Sequence, residues 1–210
     1  MKQNSILGGR FMVIGITGGI ASGKSTISKF LEGMGAYIID ADEIGREVVQ
    51  KGEKAYNEIV RYFGSDVLLN SGEINRKKLG NIVFSEPEEL KVLNDITHPE
   101  IVKRISEKID DLKKAGVKAI IIDAAILIEM GLNKYCDKIW FIQTNKETQL
   151  SRLMERDRFD SKNAQNRIKR QHGNEKNIAF ADVIINNDKP LEKIREEVKE
   201  IWDKTIEGKE

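Results

Sequence analysis

Gly18-Gly19-Ile20-Ala21-Ser22-Gly23-Lys24-Ser25 fills every fixed position of the pattern G-x-x-x-x-G-K-[ST], directly behind an apolar run at Val13–Thr17. This segment constrains the fold more than any other. Its glycines let the backbone wrap closely around a phosphate, with successive N–H groups pointing into the concavity. The strand must therefore run straight into the turn, and a helix beginning near Lys24 must follow so that its N-terminus adds favourable partial charge. Lys24 is placed to reach the β- and γ-phosphates of a nucleotide, and the Ser25 hydroxyl to bind Mg²⁺. The nucleotide-binding candidates are Gly18, Gly19, Ile20, Ala21, Ser22, Gly23, Lys24, Ser25 and Thr26.

A strand–loop–helix unit of this kind belongs in a parallel sheet, and the rest of the chain agrees. Four further runs, Ala36–Asp40, Lys118–Asp123, Lys138–Ile142 and Asp182–Ile185, are short, rich in β-branched residues and continuously apolar. Continuous rather than alternating apolar runs indicate strands buried on both faces. The amphipathic segments between them predict an α/β fold, a five-stranded parallel sheet covered by helices. Ile101, Ile105, Ile109 and Leu112 recur at helical spacing, with Pro99 suited to the first helical position. Leu191, Ile194, Val198, Ile201 and Trp202 form the core stripe of a last helix.

The strands are unevenly spaced. The stretch from Asp40 to Lys118 is far longer than the roughly dozen residues a parallel crossover needs. It predicts a helical insertion over about 43–117, and a second, Arg-rich one over about 146–181. The expectation is one domain over 12–208 carrying both. Residues 1–11 read as a leader that could be disordered, because Met12 opens the first strand and could itself be a start codon.

Composition excludes several classes. Lys plus Arg (35) nearly cancels Asp plus Glu (34), so no bulk field recruits nucleic acid or a membrane, and an anion site must be local. No apolar run reaches the roughly 18 residues of a membrane span. The lone Cys136 cannot form an internal disulfide, which fits a reducing, cytoplasmic setting, and it reads as core. A GTPase would show a guanine-reading N-K-x-D-like segment, and none is present. Two helical insertions on a short chain favour a small-molecule kinase, one insertion binding the acceptor and the other closing as a lid.

Three groups of side chains are candidates for the remaining chemistry. Asp40-Ala41-Asp42 ends the second strand at the carboxyl edge, where α/β sheets bind ligands. Asp42 is expected as the base for an acceptor hydroxyl, and Asp40 in support near the metal. Strand alternation would point the two side chains in different directions, and Asp42 could instead cap the following helix. Asp123 ends the strongest apolar run, the pattern of an acidic residue ordering Mg²⁺ through water, or of a simple turn. In the second insertion Arg152, Arg156, Arg158, Arg167 and Arg170 accompany Lys162 and Lys169. Glu155, Asp157 and Asp160 could pair them on a solvated face, or Arg152 and Arg156, one turn apart, could share an anionic ligand.

With these residues in view the chain resembles the dephospho-CoA kinase family. Ile16 to Thr26 is similar to that family's first-strand signature, and Ile39-Asp40-Ala41-Asp42 to its second. Asn75-Arg76-Lys77-Lys78-Leu79, Ile82-Val83-Phe84 and Thr97-His98-Pro99 resemble its acceptor-domain landmarks. Gln149-Leu150 through Met154-Glu155-Arg156-Asp157 resembles its lid, and Ala181 to Asn187 its last strand. The resemblance, over roughly Val13 to Glu200, implies transfer of the ATP γ-phosphoryl to the ribose 3′-hydroxyl of dephospho-CoA. It implies Asp42 as general base and Arg156 as phosphoryl clamp beside Lys24. Arg76, His98 and Arg152 would lie with the substrate and Asn187 near the nucleotide base, where a turn role is equally open. ATP and Mg²⁺ are the implied co-substrate and metal, with the metal near Ser25, Asp123 and Asp40. The partners would be small molecules only, with the chain a monomer or small homo-oligomer.

The chain departs from the family pattern twice. Ala125-Ile126-Leu127-Ile128-Glu129 stands where Pro-Leu-Leu commonly precedes a Glu, and Asp188 stands where a Gly commonly follows the Asn pair. Two rivals remain: a nucleoside monophosphate or shikimate-type kinase, which acceptor specificity would separate, and a nucleotide-dependent switch, whose hydrolysis would answer only to a macromolecule.

Overall fold

The computed structural model describes residues 11–157, 160–170 and 177–207. The side chains of Arg156, Asp157, Asn166, Lys169, Arg170 and Glu207 lie outside that description, as do Arg158 and all but the last residue of the expected leader. The described chain runs β1 (Met12–Gly18), α1 (Lys24–Gly33), β2 (Tyr37–Asp40), α2 (Ala41–Glu47), α3 (Lys54–Phe63), α4 (Arg76–Ser85) and α5 (Pro87–Lys114). It continues through β3 (Ala119–Asp123), β4 (Lys138–Gln143), α6 (Lys146–Asp157), α7 (Ser161–Arg170), β5 (Val183–Asn186) and α8 (Leu191–Glu207). Among the described residues no helix is long and apolar enough to cross a membrane.

The five strands form one sheet of order β2-β3-β1-β4-β5, with β1 parallel to both its neighbours and β4 parallel to β5. From β1 the chain passes to one side of the sheet; after β3 it crosses to the other. The reversal lies between β1 and β3, where open α/β sheets leave a crevice at the carboxyl ends. The register sets Ile16 beside Asp123 and Gly18 beside Ile142. Asp123 thus stands next to the end of β1, two residues before the glycine-rich turn begins.

Burial explains the apolar strands β1, β3 and β4, whereas the edge strands β2 and β5 leave Tyr37 and Ile184 exposed, against the expectation of burial on both faces. On one face Ile14, Ile16, Ile121, Trp140, Ile142 and Ile185 pack with Ile27 and Leu31 of α1 and Ile194, Val198 and Trp202 of α8. Fully burying a side chain of this size contributes about 1.5–3 kcal/mol, so this face alone commits both helices to the sheet. On the other face β1 presents Gly15, where a Cβ would sit 2.6 Å from Leu127 Cδ1 and 2.7 Å from Cys136 Sγ. Burial, then the neighbouring Asp137 charge, pushes the Cys136 thiol up to about 12, so it behaves as an inert, half-buried hydrophobe.

The amino-terminal ends of the strands are closed by a device used twice. Asp137, just before β4, accepts from the Val13 N–H at 2.8 Å and returns its own N–H to the Val13 carbonyl at 2.7 Å. Asp182, just before β5, does the same to Ile139, with both bonds at 2.8 Å. Each aspartate satisfies main-chain groups that the neighbouring strand, not yet begun, cannot reach.

Asp40–Asp111 forms a compact unit of its own, apart from the unit made by the segment up to Ile39 and the chain from Leu112 onward. Its core is Tyr56, Ile59, Val67, Ile74, Leu79 and Val83, with Leu93 and Ile96 packed against it. Here a helix boundary differs from the expectation. Pro99 does not open a helix; it lies inside α5, and Pro87 takes the first position. An internal proline costs about 3 kcal/mol. The helix continues because it buries apolar residues on both sides of the proline, Leu93 and Ile96 before it and Ile101, Ile105 and Ile109 after it.

Burial raises the Asp182 carboxyl, but the Lys138 ammonium at 2.9 Å and the Ile139 N–H outweigh it and hold it below its ordinary value. A carboxyl lowered in the folded state adds stability that is complete above its unfolded value and lost as pH falls through the folded one. Thermal unfolding followed from about pH 5 to pH 2 should therefore show a shallower acid loss in Asp182→Asn than in the parent. An identical slope would show that the bracket contributes no charge-dependent stability.

Candidate active site

The turn after β1 is built by conformations and close approaches that few side chains tolerate. Gly18 has φ 151°, and a Cβ there would meet the Ile142 carbonyl oxygen at 2.3 Å. Gly23 has φ 91° and forms the N-cap of α1, where a Cβ would lie 2.0 Å from the Asn187 amide nitrogen. Ala21 is the only non-glycine at positive φ (55°) among the described residues, a strained position in a turn whose amides must converge. The α1 N-terminus has no side-chain cap and no acidic residue in its first turn. Its partial positive charge is therefore not neutralised by a protein carboxylate there.

Within the loop the Ser22 N–H turns back to the Gly19 carbonyl at 3.1 Å, and other loop carbonyls have partners on neighbouring elements. Arg152 of α6 donates to the carbonyls of Ala21 and Ser22, each at 3.3 Å, and to that of Asn187 at 3.0 Å. The buried Asn187 side chain donates to the Ser22 carbonyl at 2.6 Å. Lys24 Nζ rests 3.4 Å from the Gly18 carbonyl, folded back along the loop it serves. On the β3 side Ser28 donates its hydroxyl to Asp123 at 2.7 Å, tying that carboxylate to α1.

The loop from Ala21 to Thr26 lines a cleft of about 700 Å³ together with Arg152, Glu155, Asn187, Lys189 and Leu191; Asp123 and Ser28 are not part of its lining. That volume is within the range of small-molecule sites. Its lining combines the backbone of the glycine-rich turn, cations and a helix N-terminus, an arrangement chemically suited to a polyphosphate. Lys189 escaped the sequence reading, and Glu155, one turn beyond Arg152, entered it only as a pairing partner for the arginines and within the lid resemblance, not as a cleft residue.

In the Asp40–Asp111 unit the carboxylates divide differently from expectation. The strand ends at Asp40, so alternation does not reach Asp42, which lies in the first turn of α2. The cap is Asp40: its Oδ1 accepts from the N–H groups of Asp42 and Glu43 at 2.8 and 3.0 Å. Asp42 is exposed and free of the capping role. Arg76 opens α4 behind its cap Asn75 and donates to the Arg46 carbonyl at 3.4 Å, and His98 is half-buried within α5. The Arg156 side chain lies outside the described residues, while Arg152 is directed at the loop and Asn187.

A phosphate-wrapping turn on the central strand of a 2-3-1-4-5 parallel sheet, with a helical unit after β2 and a second helical segment after β4, defines a P-loop kinase. A family profile described as dephospho-CoA kinase matches residues 12–193. A dephospho-CoA kinase of Carboxydothermus hydrogenoformans is 43% identical over 91% of this chain and 93% of its own length. One of Geobacter sulfurreducens is 41% identical over 91% and 98%. The solved structure of dephospho-CoA kinase from Campylobacter jejuni superposes with a TM-score of 0.71 at 30% identity, covering 93% of this chain and 98% of that one. The chain belongs to the dephospho-CoA kinase family.

Gly23→Ala should disable the loop without unfolding the sheet, because its Cβ must displace Asn187 and sit at a left-handed φ. Nucleotide titration should show at least about a tenfold loss of ATP affinity, equivalent to about 1.4 kcal/mol, with the circular dichroism spectrum retained. Unchanged affinity would mean that the Asn187 contact is dispensable for the loop.

Proposed function

We propose that this chain transfers the γ-phosphoryl group of ATP to the ribose 3′-hydroxyl of dephospho-CoA, yielding coenzyme A and ADP. The observation that carries the proposal is the phosphate loop, complete at every fixed position, in a chain 43% identical to a dephospho-CoA kinase over nine-tenths of both lengths.

The loop amides and the α1 N-terminus hold the ATP phosphates, and Lys24 moves from the Gly18 carbonyl to the β- and γ-oxygens. The acceptor 3′-oxygen forms a bond to the γ-phosphorus as the bond to the β–γ bridging oxygen breaks and ADP leaves. Asp42 takes the proton released by the 3′-hydroxyl. Arg156, with Lys24, balances charge on the transferring group, and the α6–α7 segment excludes water. Arg76 and His98 lie with the acceptor, and Arg152 and Asn187 with the nucleotide. The transition state is loose, so positioning and electrostatics outweigh base strength.

Mg²⁺ fits the oxygen donors available. Among the described residues no group of three His, Cys, Asp or Glu could hold a metal by itself. Mg²⁺ is commonly held by one or two protein oxygens with waters and substrate phosphates. Ser25 and Asp123 would hold it; Asp40, the third residue expected at the metal, has one oxygen engaged in capping α2. When bound it supplies neutralisation of charge on the β- and γ-oxygens. The proposed setting is the cytoplasm, with the chain a monomer or small homo-oligomer acting on small molecules.

ADP release from ATP and Mg²⁺ should occur with dephospho-CoA and not with AMP, CMP or shikimate offered separately, with coenzyme A identified by mass spectrometry. Turnover with another acceptor would overturn the substrate and leave the loop standing. For Asp42→Asn, kcat should fall roughly 10²–10⁴-fold, the usual worth of a general base, with ATP affinity retained. Lost ATP affinity at normal kcat would assign Asp42 to metal or structure instead.

A further inference from the structure

Asp188 is exposed, yet its carboxylate accepts several hydrogen bonds. It follows Asn187 at the end of β5, and its own N–H is held by the Asn186 side chain at 3.0 Å in a local turn. Its carboxylate reaches across to the start of α6. Oδ1 accepts from the Thr144 hydroxyl, and the Asn145 N–H is shared between Oδ1 at 3.1 Å and Oδ2 at 3.0 Å. Asn145 is the residue that caps α6, its side chain accepting from the Thr148 N–H at 2.7 Å. The carboxylate therefore holds the residues from which the arginine-bearing helix springs.

Two turns along α6 from that point Arg152 returns to the same strand end and donates to the Asn187 carbonyl, one residue before Asp188. The contacts close a ring. Asp188 holds Thr144 and Asn145, these start α6, and α6 carries Arg152. Arg152 grips Asn187 and the carbonyls of Ala21 and Ser22. Every member is in the sheet unit. A glycine at 188 could supply the turn but none of the bonds to α6.

We infer that Asp188 is a positioning residue for nucleotide binding: it anchors the base of α6 so that Arg152 stays on the phosphate loop and the strained turn at Ala21 is kept ready for ATP. It touches neither phosphate nor acceptor and acts through Arg152. Charge agrees with the geometry. Burial raises the Asp188 carboxyl, but the Thr144 hydroxyl, the Asn145 N–H, Thr148 and the Arg152 charge outweigh it and hold the group below its ordinary value. The inference rests on the loop being an ATP site, as proposed above, and is independent of which acceptor is used.

The test is ATP affinity of the full chain, by calorimetry without acceptor, followed by steady-state kinetics. Asp188→Ala should weaken ATP binding about tenfold, which is about 1.4 kcal/mol. The KM for ATP should rise in step, while kcat at saturating ATP and the KM for the acceptor stay within about twofold. Asp188→Asn, which keeps one acceptor oxygen for Thr144, should recover part of the loss. Thr144→Val removes one donor from the other side of the ring, should weaken ATP binding in the same direction, and serves if Asp188→Ala fails to fold. ATP affinity within twofold of the parent in both Asp188→Ala and Thr144→Val, or a lower melting temperature as the only change, would overturn the inference. If dephospho-CoA proved not to be the acceptor, the calorimetric shift would still be expected, so the two failures are separable.

Discussion

The structure depends on a loop that must present its amides to an anion. The carbonyls of such a loop need partners of their own: that of Gly19 takes the Ser22 N–H, and those of Ala21 and Ser22 face the protein. An unpaired buried carbonyl costs about 1–3 kcal/mol. Arg152 and Asn187 meet that demand from elements distant in sequence, one on α6 and one at the end of β5. The phosphate site is therefore not a local motif with a scaffold beneath it. It is a surface whose inner side is completed by the helix after β4 and by the last strand.

The sheet makes that completion possible. With β1 central and β4 and β5 on one side of it, the ends of β1 and β5 lie one strand apart, close enough for Asn187 to reach the Ser22 carbonyl. On the other side the register carries Asp123 to the end of β1, where Ser28 holds it. The opposite ends of β1 and β4 are closed by Asp137 and Asp182. Strand positions at the phosphate end are thus governed by ligand-facing groups, and those at the far end by paired main-chain bonds.

Much of this was legible beforehand for a physical reason. Buried parallel strands must be continuously apolar, which marked β1, β3 and β4; the edge strands β2 and β5, partly exposed, were marked by their β-branched residues, and all five appeared within a residue or two of their observed ends. The loop pattern is equally direct, because only certain residue types survive its conformations and close approaches. Other features were hidden. Pro99 looked like a helix start because proline is at ease there, but burial on both sides carried the helix through it. Asp40 and Asp42 could not be sorted by alternation because the strand stops between them, and the cap went to the residue whose side chain reaches the next two N–H groups. Arg152 and Arg156 looked alike as cations one turn apart, whereas Arg152 is engaged with backbone carbonyls.

The sequence by itself determined the strand–loop–helix unit, its glycine-rich turn and the parallel sheet, since local conformation and burial dictate residue type at each of those positions. The tertiary structure alone decided which side chains support the loop from behind. The Asp188–Thr144–Asn145 contact and the Arg152 grip join positions far apart in the chain. Their partners are polar groups whose pairing depends on where the strands end in space, and no periodicity or spacing records that.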